Sequence, residues 1–280
     1  MLEQLLRVLE PQAVGEDSFV GENMHPKGFR IYGGQVLAQA VSAAQQTVAE
    51  ERPIHSQHAY FLRPGDCSKP VTYEVERARD GGSFSSRRVV ALQEGKPILV
   101  SSMSFQLADD SFDFQPELPE GITPPEDLPS ERERALKQNV LNEDFMITDG
   151  EDLDVRMGTP INWREPEQMP GRLYNWMRTT APVGDDPTLH RSLLTYFSDT
   201  MLLDAGLIQH GRSYWDRSLQ VASLDHAIWY HGDFRADNWL LHTADLERNS
   251  GGRTLVRGRF FTREGRHVAT VMQQGLMRKN

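Results

Sequence analysis

G-G-S-F-S-S-R-R-V-V-A-L-Q-E-G-K-P-I-L-V-S-S-M-S-F-Q (81–106) aligns without a gap on G-G-R-T-L-V-R-G-R-F-F-T-R-E-G-R-H-V-A-T-V-M-Q-Q-G-L (251–276). Each stretch reads as a hairpin: a strand, a tight turn at Glu94-Gly95 or Glu264-Gly265, and a return strand. Upstream, H-A-Y-F-L-R-P-G (58–65) matches H-A-I-W-Y-H-G-D (226–233), which aligns His58 with His226. A helical pattern precedes each set, G-G-Q-V-L-A-Q-A-V-S-A-A-Q-Q-T-V (33–48) and L-H-R-S-L-L-T-Y-F-S-D-T-M-L-L-D-A (189–205). The order helix, strand, strand, hairpin therefore occurs twice, the mark of a duplication.

A long apolar helix followed by antiparallel strands implies an α+β unit, a curved sheet wrapped around a helix. Ala38, Ala40, Ala43 and Ala44 keep the first helix thin enough for a sheet to close on it. Two such units in one chain make a pseudo-dimer with a cleft where they meet. Between them lies an acidic, proline-rich stretch, so the expected division is 1–108, a surface linker over 109–150, and 151–280. One or two helical turns are expected over 130–139. The N-terminal M-L-E-Q-L-L-R-V-L-E-P reads as a short amphipathic helix stopped by Pro11.

Composition narrows the function classes. The 280 residues carry a net charge of −10, which argues against nucleic acid as a partner. No apolar run approaches the ~20 residues that span a bilayer. Cys67 is the only cysteine, which excludes an intrachain disulfide. These features set the expectation of a soluble, cytoplasmic protein.

The segments Y-G-G-Q-V-L-A-Q-A, H-S-Q-H-A-Y-F-L-R-P-G, L-D-H-A-I-W-Y-H and V-M-Q-Q-G-L-M-R, in this order, resemble the acyl-CoA thioesterase II family. The resemblance runs over nearly the whole chain and is weakest in the linker. It implies a tandem (double) hot-dog fold, each half a curved antiparallel sheet around a long helix. It also implies hydrolysis of fatty acyl-CoA to free acid and coenzyme A, with neither metal nor organic cofactor. A homo-oligomer, paired through sheet edges or helix layers, is the expected assembly.

Comparing the repeats shows where one half departs from the other. Gln273 aligns with Met103, so an amide stands where the sister strand has an apolar side chain. Asp199 falls within the apolar pattern of the second helix, opposite neutral Gln39, and a carboxylate there is expensive unless hydrogen-bonded. Ser223 aligns with His55. In the resembled family an aspartate on this helix, a threonine before the D-H strand and a glutamine in the last strand hold the attacking water. Carried across, these are Asp199, Ser223 and Gln273. Serine in place of threonine keeps the hydroxyl and loses the methyl that stiffens χ1. Each residue taken singly also fits a structural role. Helix N-terminal N–H groups, Gly33-Gly34 among them, are the expected oxyanion donors.

Other candidates rank lower. His55 and His58 are expected on opposite strand faces, which suits no shared metal, and His58 is the second choice of base. Asp204 reads as a surface or capping residue, and Gln274 as an ordinary polar strand residue. Arg63, Arg87, Arg88, Arg257, Arg259 and Arg278 each read singly as solvated surface residues. The sequence lacks G-x-S-x-G, H-E-x-x-H, paired-cysteine, EF-hand, P-loop and dinucleotide patterns. Two other classes remain: a non-catalytic acyl-CoA-binding tandem hot-dog module, and a hot-dog hydratase or dehydratase.

Overall fold

The computed structural model describes residues 2–24, 30–140, 150 and 152–279. The first half contains α1 (Leu2–Leu9), β1 (Gln12–Ala13), β2 (Ser18–Gly21), α2 (Gly33–Gln45), β3 (Ile54–Phe61), β4 (Val71–Asp80), β5 (Phe84–Gln93) and β6 (Lys96–Gln106). A short α3 (Glu131–Lys137) follows. The second half contains β7 (Leu153–Met157), β8 (Arg172–Thr179), α4 (Pro187–Ser198), α5 (Asp204–Ile208), β9 (Leu219–Ser223), β10 (Asp225–Tyr230), β11 (Leu240–Ser250), β12 (Arg253–Thr262) and β13 (His267–Lys279). Among the described residues no helix is long and apolar enough to cross a membrane.

All the strands join one antiparallel sheet in the order β1-β2-β4-β5-β6-β3-β10-β13-β12-β11-β8-β7, with β9 on β13. The sequence β4-β5-β6-β3 is mirrored by β10-β13-β12-β11, so the halves meet edge to edge at β3 and β10. On the inner face α2 and α4 pack against each other. The alanines of α2 are fully buried, as their size predicted. Both expected hairpins form, β5–β6 and β12–β13. Glu94 and Gly95 both adopt positive φ, 49° and 73°, the geometry of a primed hairpin turn.

Register corrects one detail of the repeat. Tyr73 pairs with Ala91 and Ala91 with Leu99, just as His242 pairs with Phe260 and Phe260 with Ala269. The Leu99–Ala269 match carries along the last strands to Met103–Gln273 and Phe105–Gly275. Ile54 pairs with Phe105, and Ser223 pairs with Gly275. The structural counterpart of Ser223 is therefore Ile54, not His55. His58 is likewise no counterpart of His226. His58 is exposed on the outer face, whereas His226 is fully buried on the inner one. The His-Ala match was one residue out of register, and a one-residue slip moves a side chain to the opposite face.

The second helix also differs from expectation. Asp186 caps α4 by accepting a 2.9 Å hydrogen bond from Thr188 N, and Pro187 fits the first turn. Instead of running to residue 205, the helix stops at Asp199. Met201 turns to φ 54°, and α5 starts at Asp204. A left-handed conformation is costly for a side chain such as methionine, so the break is imposed by its surroundings.

The acidic stretch after β6 is not wholly a solvated linker. Leu118, Ile122 and Leu128 pack on Trp176, Leu241 and Phe261, forming a small second core. Trp176 Nε1 donates to Thr123 O at 2.9 Å, and Arg263 pairs with Glu126 at 2.6 Å. α3 begins with a capping box, Ser130 with Glu133, within the span expected to be helical. The part of the stretch over 141–149 lies outside the described residues.

Candidate active site

Three local events bring Asp199, Ser223 and Gln273 together. Strand alternation turns Gln273 inward on β13, between Val271 and Gly275, and leaves it fully buried. β9 and β10 follow one line along β13 but are separated by a bulge at Leu224. There Leu224 N donates to Gln274 O at 2.9 Å, and Gln274 N donates to Asp225 Oδ1 at 2.8 Å. The extra residue lets Ser223 face inward three positions before His226, which also faces inward. A matching register shift lies between Ile54 and Ser56 in the first half. The end of α4 supplies Asp199 over the same spot.

The three side chains are mutually bonded. Gln273 Nε2 donates to Asp199 Oδ1 at 2.6 Å and to Ser223 Oγ at 2.8 Å. The neighbouring Ser223 hydroxyl also favours the charged form of Asp199. The backbone N–H of Gly34, from the other half of the chain, favours the charged form as well. Burial nevertheless outweighs these bonds and the nearby Arg30 charge, and pushes the Asp199 carboxyl up to about 6. Asp199 is therefore a carboxylate at neutral pH that still holds a proton readily.

Behind this trio lies a polar layer. The Ser198 hydroxyl donates to Thr195 O at 2.8 Å, so His226 Nε2–H must be the donor across the 2.9 Å contact to Ser198 Oγ. His242 Nδ1 lies 3.2 Å from Asn175 Oδ1. Burial pushes both imidazoles down to about 3, so both are neutral. Gln57, the counterpart of His226, instead donates to Leu37 O at 3.2 Å. The contrast at the site is sharpest in Ser223 and Gln273, which stand where the first half buries Ile54 and Met103.

The remaining candidates lie elsewhere. His58 packs edge-on against Trp229, and His55 against Phe84; both rings are on the outer side of the sheet, not on opposite faces. Gln39 is held within the first half, donating to Val8 O at 2.6 Å and accepting from Tyr73 Oη at 2.6 Å. Gln274 faces away from Gln273. Asp204 is no surface residue: it is buried at the start of α5, and desolvation pushes it up to about 7. Arg87 is likewise buried, bonded to Thr47 and Asp80. Arg88 pairs with Glu76, Arg257 with Asp245 and Glu247, Arg278 bonds Gln220, and Arg63 bonds Pro97 O. Arg259 is half-buried. Reading the sequence missed the Gly34 donor to Asp199, since it assigned that N–H to a substrate oxygen. It also missed Tyr32, which nothing in the repeat comparison singles out.

Comparison with known proteins gives a consistent picture. Residues 20–106 match the acyl-CoA thioesterase N-terminal domain family, and residues 155–276 match the acyl-CoA thioesterase family. The chain is 35% identical to acyl-CoA thioesterase 2 of Haemophilus influenzae, covering 99% of this chain and 98% of that protein. It is 36% identical to the crystal structure of acyl-CoA thioesterase II TesB2 from Mycobacterium marinum, with a TM-score of 0.81 over 99% of this chain and 98% of that one. A hot-dog-fold protein of unknown function from Alicyclobacillus acidocaldarius is 17% identical and superposes with a TM-score of 0.78 over 99% and 98% of the two chains, a likeness of fold.

Proposed function

Because the chain belongs to the acyl-CoA thioesterase II family, we propose that it hydrolyses fatty acyl-CoA to free fatty acid and coenzyme A through a water held by Asp199, Ser223 and Gln273. In this reading the chain is a tandem hot-dog, with units over 1–108 and 151–280 joined by 109–150. The observation that carries the site is the pair of bonds from Gln273 to Asp199 and Ser223, made where the first half buries Met103 and Ile54.

The chemistry follows from those groups. A thioester carbonyl is electrophilic and its thiolate leaves readily, so water can attack without a covalent enzyme intermediate. Asp199 takes the water proton as its oxygen bonds to the carbonyl carbon. Ser223 and Gln273 fix the position of base and water, which supplies the orientational part of the rate. The C–S bond then breaks and the coenzyme A thiolate leaves, taking up the proton held by Asp199 and restoring the base. Negative charge on the carbonyl oxygen needs a donor. Gly34 N–H serves the Asp199 carboxylate in this reading, which leaves the N–H of Gly33, outside the helical ladder by its position, as the proposed donor.

A hydratase or dehydratase would want an acid and an imidazole facing one ligand. Asp225 instead binds the Gln274 backbone, while the adjacent His226 points into the core. Free-thiol release from a panel of acyl-CoA esters tests the proposal. Release by the parent and its loss in Asp199→Asn are expected. Tight acyl-CoA binding with no release by the parent would point instead to a binding module.

A further inference from the structure

We propose that Tyr32, from the N-terminal half, is a positioning residue that clamps the broken end of α4 and so aims Asp199. The inference rests on the reading of Asp199 as the base. Tyr32 is the N-cap of α2, with extended backbone, φ −64° and ψ 132°. Its hydroxyl crosses to the other half and lies 2.9 Å from Tyr196 O and 2.9 Å from Thr200 Oγ1. Those residues bracket Asp199, three before it and one after.

The direction of each bond is determined. A carbonyl oxygen only accepts, so Tyr32 Oη–H donates to Tyr196 O, and the Thr200 hydroxyl donates to Tyr32. Tyr196 O is one of the last carbonyls of α4, which have no intrahelical partner. The single phenol thus closes the helix end and also holds the residue at which the chain turns away toward Met201 and its positive φ. Burial and the Asp199 charge keep the phenol protonated, so the donor persists through the working range of pH.

The same contact brings Gly34 to the carboxylate. A Cβ on Gly34 would lie 2.5 Å from Tyr196 O and 2.6 Å from Tyr32 Cε1, so the two helix ends meet at a separation only glycine permits. A Cβ on Gly33 would lie 2.6 Å from Asp199 Oδ2. The Tyr32 ring packs edge-on against Tyr196, with centroids 5.0 Å apart. Ring packing alone would cement the helices; the hydroxyl adds the two bonds that fix the peptide around Asp199. Around the carboxylate, α2 contributes the Gly34 N–H, β9 contributes Ser223, β13 contributes Gln273, and the segment before α2 contributes the Arg30 charge.

Tyr32→Phe removes the hydroxyl and keeps the ring, and Thr200→Val removes one leg of the clamp at nearly constant shape. For Tyr32→Phe, kcat for thiol release should fall about tenfold. KM should stay within about twofold, since both hydroxyls are spent on the end of α4. The acidic limb of the kcat–pH profile should move upward from its parent position near 6, because a less squarely placed Gly34 N–H stabilises the carboxylate less. Thr200→Val should shift the limb in the same direction. The double variant should be within about twofold of Tyr32→Phe, because the two hydroxyls act as one unit.

A Tyr32→Phe protein with parental kcat and limb, or one altered only in melting temperature or KM, overturns the clamp. The same holds for Thr200→Val should Tyr32→Phe fail to fold. If Asp199→Asn is inactive while both clamp variants keep the parental profile, only the clamp falls. If Asp199→Asn itself keeps full activity, the base assignment falls, and the clamp with it.

Discussion

Gln273 illustrates how much one side chain can say. Its amide spends both N–H groups on Asp199 and Ser223, at 2.6 and 2.8 Å, within a layer that the sister repeat fills with Met103 and Ile54. Placing an amide and a hydroxyl where the sister repeat buries apolar groups, beside a desolvated carboxyl, opposes stability unless each is bonded. Gln273→Met restores the residue type of the other half at similar volume. Its kcat should fall by roughly a hundredfold or more, and its melting temperature should fall as well, because Asp199 and Ser223 are left without their donor. A Gln273→Met protein with parental kcat would mean that the amide does not hold the water. Gln273 and Asp199 could both be found from the sequence, because each interrupts an apolar pattern. Ser223 could be found only through the family resemblance. Its true counterpart, Ile54, was hidden by the bulge, since a bulge changes which face a residue occupies without changing the letters around it.

At the scale of elements, the broken helix distinguishes the two halves. α2 runs unbroken from Gly33 to Gln45, whereas α4 ends at Asp199 and α5 resumes at Asp204. The helical pattern of apolar residues continues across 189–205, and nothing in it marks the break, because the cause is tertiary: the hydrogen bonds that hold Asp199 and the Tyr32 hydroxyl beyond it. The break also buries Asp204, whose carboxyl is raised to about 7. A carboxyl raised in the folded state favours folding while it is protonated, and that contribution is lost as pH climbs from the unfolded value, about 3.9, through the folded one. Asp204→Asn mimics the protonated form at every pH. It should therefore match the parent near pH 4, gain on it between about 4 and 7, and hold a constant advantage on the order of a few kcal/mol above that. Urea titrations at several pH values measure this difference. A gap that is flat across pH, or that opens only on the acid side, would show that Asp204 is not held neutral by burial.

Across the whole molecule, the repeat, its α+β character and both hairpins are readable from the sequence, because side-chain alternation and turn chemistry are local. The edge-to-edge joining at β3 and β10, and the packing of α2 on α4, are not local and had only the resemblance to suggest them. They matter because they assemble the proposed site from both halves. Asp199, Ser223 and Gln273 come from the second, while Gly34 and Tyr32 reach across from the first. The acidic stretch after β6 was misread for a related reason. Its proline and charge suggested a solvated path, but Leu118, Ile122 and Leu128 find Trp176, Leu241 and Phe261 on the outside of the second half.

The central claim is that the assembled molecule activates a water with Asp199. It is tested most directly by the pH dependence of kcat for thiol release from acyl-CoA, measured for the parent and Asp199→Asn. Asp199 works as a base only when ionised, so the parental rate should rise with pH along a limb centred near 6 and then level off. Asp199→Asn should lose that limb and fall on the order of 10²–10⁴-fold on the plateau. Parental kcat in Asp199→Asn, or an unchanged limb, would contradict the account.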